Sequence, residues 1–192
     1  MSLLRSFIAI EIPLEIQQNI YEETSNIRKE IDGLVRWVPV ENMHLTLKFL
    51  GDVSPSNVEF LMQMLRNEVD HVSGFTLHLA GLGSFPSLKR PRVIYIGIQA
   101  PAALDALHRG IESASRRLGY EPEERPFSPH LTLGRVRQNI TAVAQRKIRR
   151  CIEGTQVDVL GTARVDSVQL YKSELKPSGS VYTRLYSAPL KK

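Results

Sequence analysis

The chain carries the tetrapeptide His44-Leu45-Thr46-Leu47 and repeats it as His130-Leu131-Thr132-Leu133, 86 residues later (130 − 44). In an extended strand, alternate side chains point to opposite faces. Each copy therefore offers an imidazole and a hydroxyl to one side and two leucines to the other. Histidine moves protons near neutral pH. A threonine hydroxyl donates hydrogen bonds to anionic oxygen. Two such pairs facing one cleft supply an acid, a base and two anion-holding hydroxyls. One copy alone reads as an ordinary half-buried strand, so the decision rests on whether the surroundings are duplicated too.

They are. Ser6 to Ile12 is β-rich, Pro13 follows, and apolar residues at Ile16, Ile20, Ile27 and Ile31 predict an amphipathic helix from Leu14 to Ile31. Gly33 ends it. Trp37 lies on a short extended piece before the strand His44 to Leu50. Ser54-Pro55 reads as a helix cap with a first-turn proline, opening a helix to Val72. A strand, Phe75 to Leu82, and a loop to Pro91 come next. Then Ile96-Gly97-Ile98-Gln99-Ala100-Pro101 resembles Ile8-Ala9-Ile10-Glu11-Ile12-Pro13, at an offset of 88 (96 − 8). A helix is expected over 102–118, a loop over 119–129, then the second tetrapeptide and a helix over 141–153. Strands at 156–160, 164–175 and 180–188 finish the chain, with Pro177-Ser178-Gly179 as a hairpin turn.

Strand, helix, tetrapeptide strand, helix, strand thus occurs twice, an internal repeat of roughly 5–85 and 92–188. The late strands are joined by short turns and no Gly-rich phosphate loop is present. We expect an α+β fold, a single bilobal domain over 1–192. Its two pseudo-symmetric lobes would each be an antiparallel sheet backed by helices, with a central active-site groove between His44 and His130.

Composition is that of an ordinary globular chain, with 42% hydrophobic and 23% charged residues. The formal net charge of +5 suits a polyanionic partner. One cysteine, Cys151, permits no internal disulfide and fits a reducing, cytoplasmic setting. The apolar N-terminus is short and reads as a strand, not as a signal peptide or membrane span. A monomer with no membrane partner is expected.

Two histidines across a cleft can divide acid and base roles, each contributing roughly 10²–10⁴ in rate. Paired threonines would hold phosphoryl oxygens as charge redistributes. A cyclic phosphodiester suits this site, because water must be activated on one side and an alkoxide protonated on the other. A catalytic zinc usually takes three protein ligands, whereas each repeat has one histidine and no His-Glu-x-x-His. No G-x-S-x-G elbow, P-loop or Rossmann fingerprint occurs. No metal and no cofactor are expected.

The doubled His-x-Thr-x motif, the opening Arg5-Ser6-Phe7-Ile8-Ala9-Ile10 and the run Phe127-Ser128-Pro129-His130-Leu131-Thr132-Leu133-Gly134-Arg135 resemble the two-histidine phosphoesterase superfamily. More narrowly they are similar to the LigT-type RNA 2′,3′-cyclic phosphodiesterases, also called 2′-5′ RNA ligases. The resemblance covers nearly the whole chain. It implies metal-free hydrolysis of RNA 2′,3′-cyclic phosphate ends to 2′-phosphomonoesters and, in some members, 2′-5′ joining of tRNA halves. It makes His44 the proton donor and His130 the proton acceptor, roles that the symmetry of the motif leaves exchangeable.

The resemblance also implies a ring near the base at Phe49 and an arginine near the phosphate at Arg135. Plain alternation sets both on the face away from the histidines, so a twist or bulge is required. Lys48 shares the His44 face by alternation and is a candidate phosphate contact. Arg125 and Phe127, just before the second motif, are further substrate-binding candidates. The loop Lys89-Arg90-Pro91-Arg92 and the run Arg146, Lys147, Arg149, Arg150 could guide an RNA backbone, although solvated surface is the simpler reading. His71, His78 and His108 lie in no repeated context and read as structural. Other readings are 2′-5′ RNA ligation as the main role, hydrolysis of another cyclic or 2′-5′ phosphodiester, and a non-catalytic RNA-binding module.

Overall fold

The computed structural model describes residues 2–177 and 179–191. Nine strands form one sheet: β1 (Leu4–Glu11), β2 (Val35–Trp37), β3 (His44–Val53), β4 (Phe75–Phe85), β5 (Val93–Gln99), β6 (His130–Val136), β7 (Val159–Val165), β8 (Ser167–Lys176) and β9 (Gly179–Pro189). Five helices accompany it: α1 (Leu14–Glu23), α2 (Ser25–Glu30), α3 (Val58–Val69), α4 (Ala102–Arg117) and α5 (Ala142–Gly154). The strand order is β7-β4-β5-β6-β3-β1-β8-β9, with β2 added on β6. Neighbouring strands are antiparallel throughout.

The fold is the expected α+β, with one refinement. The two halves of the sheet, β7-β4-β5-β6 and β3-β1-β8-β9, do not correspond to the two halves of the chain. β4 leaves the first repeat to extend the sheet of the second. β8 and β9 return to extend the sheet of the first. The exchange ties the halves together, because neither sheet half is complete without strands from the other part of the chain.

Leu45, Leu47, Leu131 and Leu133 are at most 4% exposed and belong to one core that also takes in Leu61, Leu65, Leu104, Leu107, Ile111 and Ile148 of the helices. Each such side chain contributes about 1.5–3 kcal/mol on burial. The tetrapeptide leucines thus bind the sheet to its helical layer, and the opposite face is left to the histidines.

Three expectations change. The helix expected from Leu14 to Ile31 is broken at Thr24 (φ −94°, ψ 6°), where α1 ends and α2 begins. Thr24 Oγ1 donates to the Ile20 carbonyl at 2.6 Å, a local bond that competes with helix continuation. The strand from Phe75 runs three residues further than expected, to Phe85. The expected strands at 156–160 and 164–175 are instead β7 and β8. Of the expected turn 177–179, Ser178 lies outside the described residues, and Lys176 pairs with Gly179 across it. Among the described residues no helix is long and apolar enough to cross a membrane.

Candidate active site

The two tetrapeptide strands lie side by side at the centre of the sheet, joined where Leu45 pairs with Leu131. Continuing that register one residue each way sets His44 opposite Thr132 and Thr46 opposite His130. All four are half-buried and share the face away from the helices. Directly opposed Cβ atoms in such a pair lie about 4.5–5.5 Å apart and diagonal ones about 7–8 Å. The histidines are the diagonal pair, which leaves space for a phosphoryl group between their rings.

Both rings are held the same way. His44 Nδ1 donates to the carbonyl oxygen of Asn42 at 2.8 Å, and His130 Nδ1 to that of Ser128 at 2.7 Å. A carbonyl only accepts, so each neutral ring carries its proton on Nδ1. Nε2 is then the nitrogen with a lone pair to offer.

The same register settles where the fifth residue after each histidine lies. Against β1, Thr46 pairs with Ala9 but Lys48 with Ile8, so Leu47 is an extra residue. Against β5, Thr132 pairs with Tyr95 but Gly134 with Ile94, so Leu133 is extra. Each repeat has a β-bulge at the same point, which resets the alternation. Phe49 and Arg135 come round to the histidine face, and both are exposed. The positive charge of Arg135 reaches both imidazoles.

The bulge that recovers Phe49 and Arg135 removes Lys48 from the site. Lys48 is 4% exposed and sits on the helix side. Its Nζ lies 2.6 Å from Glu112 Oε1 of α4 and also donates to the Glu121 carbonyl. Its counterpart after the second bulge is Gly134, where a Cβ would come within 2.5 Å of Val35 and 2.8 Å of Trp37. Close approach of β2 to β6 requires glycine there.

Arg125 is not brought to the histidines either. It is exposed and paired with Glu123 at 3.1 Å, in a loop fastened to α4 by Glu112, which accepts from the Glu123 amide at 2.8 Å. Phe127 stacks on His108 of α4, with centroids 3.8 Å apart and planes 9° off parallel. His108 therefore does hold structure, and the Phe127 ring it holds packs against the core.

The sequence reading missed the aromatic walls. Phe7 stacks on His44 at 4.9 Å and Tyr182 meets it edge-on at 5.3 Å. Phe85 and Tyr95 stand edge-on to His130 at 4.9 and 5.4 Å. Alternation puts Phe7 on the face of Ala9 and Glu11. Nothing in the sequence says that β8 and β9 bring Tyr182 beside it.

Burial is the main effect on both imidazoles and lowers both, with Arg135 adding in the same direction and the Nδ1 hydrogen bonds opposing. His44 is pushed down to about 4. Without a ligand both rings are neutral at pH 7. The unfolded chain takes up a proton on His44 near the ordinary pKa of about 6.5, whereas the folded chain does so only near 4. Between those values the unfolded state binds more protons, so stability falls as pH falls through this window. His44→Gln should therefore flatten the decline in urea midpoint between pH 6.5 and 4.5. Equal slopes for variant and parent would contradict the buried neutral ring.

A model of the LigT-like phosphoesterase family matches the chain twice, over residues 10–95 and 96–182. The chain belongs to this family. It is 31% identical over 180 residues to the RNA 2′,3′-cyclic phosphodiesterase of Methanothermobacter thermautotrophicus, covering 94% of this chain and 95% of that one. It is 32% identical over 183 residues to that of Thermotoga maritima, covering 95% and 94%. Escherichia coli LigT, solved with 3′-AMP, superposes with a TM-score of 0.79 at 29% identity over 99% of both chains.

The two family matches start 86 residues apart (96 − 10), as the sheet does. Ile10 pairs with Leu45, and Ile96 with Leu131. Ile96 is thus the counterpart of Ile10, not of Ile8. The offset of 88 holds only for the helix starts, Leu14 and Ala102.

Proposed function

We propose that this LigT-like phosphoesterase hydrolyses the 2′,3′-cyclic phosphate at RNA ends to a 2′-phosphomonoester, by two-histidine acid-base catalysis without a metal. The observation that carries the reading is the pair of Nδ1-anchored imidazoles placed diagonally across one strand pair, each opposite a threonine. The activity of the named relatives supports the choice of substrate.

A cyclic phosphate anion sits between the rings. Thr46, Thr132 and Arg135 hold its non-bridging oxygens. His130 Nε2 takes a proton from water as the water oxygen bonds to phosphorus. The bond from phosphorus to the 3′ oxygen breaks, and protonated His44 gives its Nε2 proton to that oxygen. Solvent then restores the starting protonation. Burial favours the neutral His44 ring, and the anionic substrate counters this by offsetting Arg135 and favouring the charged ring.

Among the described residues no group of three or more His, Cys, Asp or Glu side chains converges as a metal site would need. EDTA-treated enzyme should turn over cytidine 2′,3′-cyclic phosphate at its full rate and release only the 2′-phosphate. Loss of turnover that added zinc or magnesium restores would overturn the metal-free reading. Ligation of tRNA halves would use the same histidines in reverse, so the assay is also run with tRNA halves. Joining that outpaces hydrolysis would make ligation the main role.

A further inference from the structure

Beyond the histidines, past Arg135, the end of the sheet is rich in arginine. Arg36 of β2 lies directly opposite Arg135 of β6 on the same face. Like charges directly opposed across strands destabilise a sheet. Two residues on, at the rim, two adjoining cavities of about 220 and 420 Å³ share Pro91, Arg92 and Gln145. Arg137 and Asn139 line one and Arg90 lines the other.

Five arginines thus gather around the far end of β6, where the sheet edge meets α5: Arg36, Arg90, Arg92, Arg135 and Arg137. All are exposed. Among the described residues none has an acidic partner within 4.0 Å, a property shared with seven of the other twelve arginines; what sets these five apart is their placement on neighbouring strands and the adjoining 90–92 segment. Uncompensated positive charge held against its own repulsion points to an anionic ligand. A strand advances about 3.3 Å per residue, so the pocket lies roughly 20 Å along β6 from His130. A mononucleotide at the histidines cannot reach it.

We propose that the Arg90, Arg92 and Arg137 pocket is a second binding site, taking a backbone phosphate of the RNA several nucleotides upstream of the cyclic end. The proposal rests on the RNA-end reading above. The strand leaves the histidines past Arg135 and Arg36, and the pocket clamps it by charge, without reading sequence. The enzyme then prefers RNA ends to free cyclic nucleotides through KM.

The test compares the parent protein with an Arg92→Gln/Arg137→Gln double variant, neither residue being part of the catalytic machinery. Binding of a labelled RNA octamer with a 3′-terminal phosphate is measured by anisotropy over a salt series. Turnover is measured on cytidine 2′,3′-cyclic phosphate and on the octamer carrying the cyclic end. The variant should bind the octamer at least tenfold more weakly, with a salt slope shallower by about 0.7 per lost contact. Its mononucleotide kcat/KM should stay within twofold of the parent. Unchanged octamer binding, or equal losses on both substrates, would overturn the pocket. If the parent binds the octamer in this arginine-dependent way but turns over neither substrate, the activity is refuted and the pocket stands.

Discussion

His44→Ala and His130→Ala are each expected to lower kcat/KM on cytidine 2′,3′-cyclic phosphate by roughly 10²–10⁴, the usual worth of one positioned proton-transfer group. That range corresponds to about 2.7–5.4 kcal/mol of transition-state stabilisation. In the proposed mechanism the two rings serve a single displacement, one removing the water proton as the other protonates the leaving oxygen. The double variant should consequently be little worse than the poorer single variant, because groups that act as a unit are strongly non-additive. The rings also pack against Phe7 and Tyr182 on one side and Phe85 and Tyr95 on the other. Thermal midpoints are measured alongside to separate lost packing from lost chemistry. A single variant that is folded and retains activity within threefold of the parent would remove that histidine from the mechanism.

The histidines were legible because their chemistry and their periodicity coincide. Alternation puts His44 and Thr46 on one face, the duplication supplies the partner strand, and one ladder pair, Leu45 with Leu131, does the rest. The bulges at Leu47 and Leu133 were called for only by the family resemblance, as the way to bring Phe49 and Arg135 round, and were not legible in the residues themselves. A bulge is one unpaired residue in a ladder and leaves no mark on composition. It exchanges Lys48 for Phe49, and Gly134 for Arg135, at the groove.

The offset of 88 instead of 86 arose for a related reason. A slip of two residues preserves every side chain's face, so only the pairing of Ile10 and Ile96 reveals it. The aromatic walls and the Arg36–Arg135 pair come from strands remote in sequence, and register between remote strands is set by the packed sheet. Arg125 and Phe127 were read as near the site through nearness in sequence to His130, but Glu112 and His108 of α4 hold their loop to the helix side.

Lys48→Met is expected to destabilise the protein by about 3–5 kcal/mol, the range for breaking a buried ion pair from one side. At about 2–4 °C per kcal/mol for a chain of this size, the melting midpoint should drop by roughly 6–20 °C. The reason is what the ammonium leaves behind. Glu112 retains one carboxylate oxygen that is buried with no hydrogen-bond partner among the described residues. Its other oxygen would keep only the Glu123 amide, and the Glu121 carbonyl would lose its donor.

Lys48→Met/Glu112→Leu should recover most of the loss, since a buried pair replaced on both sides by apolar groups is often neutral. The exposed backbone at Glu121 and Glu123 can turn to water. Activity separates this role from substrate contact. A lysine on the phosphate would take kcat/KM with it even in a fully folded variant. A lysine under the sheet acts only through the 119–129 segment that ends at the Ser128 carbonyl holding His130. At a temperature where Lys48→Met is folded, kcat/KM on the cyclic mononucleotide should stay within about tenfold of the parent, and the double variant should restore it. A loss of the size expected for His130→Ala, not restored by Glu112→Leu, would return Lys48 to the groove and contradict the bulge at Leu47.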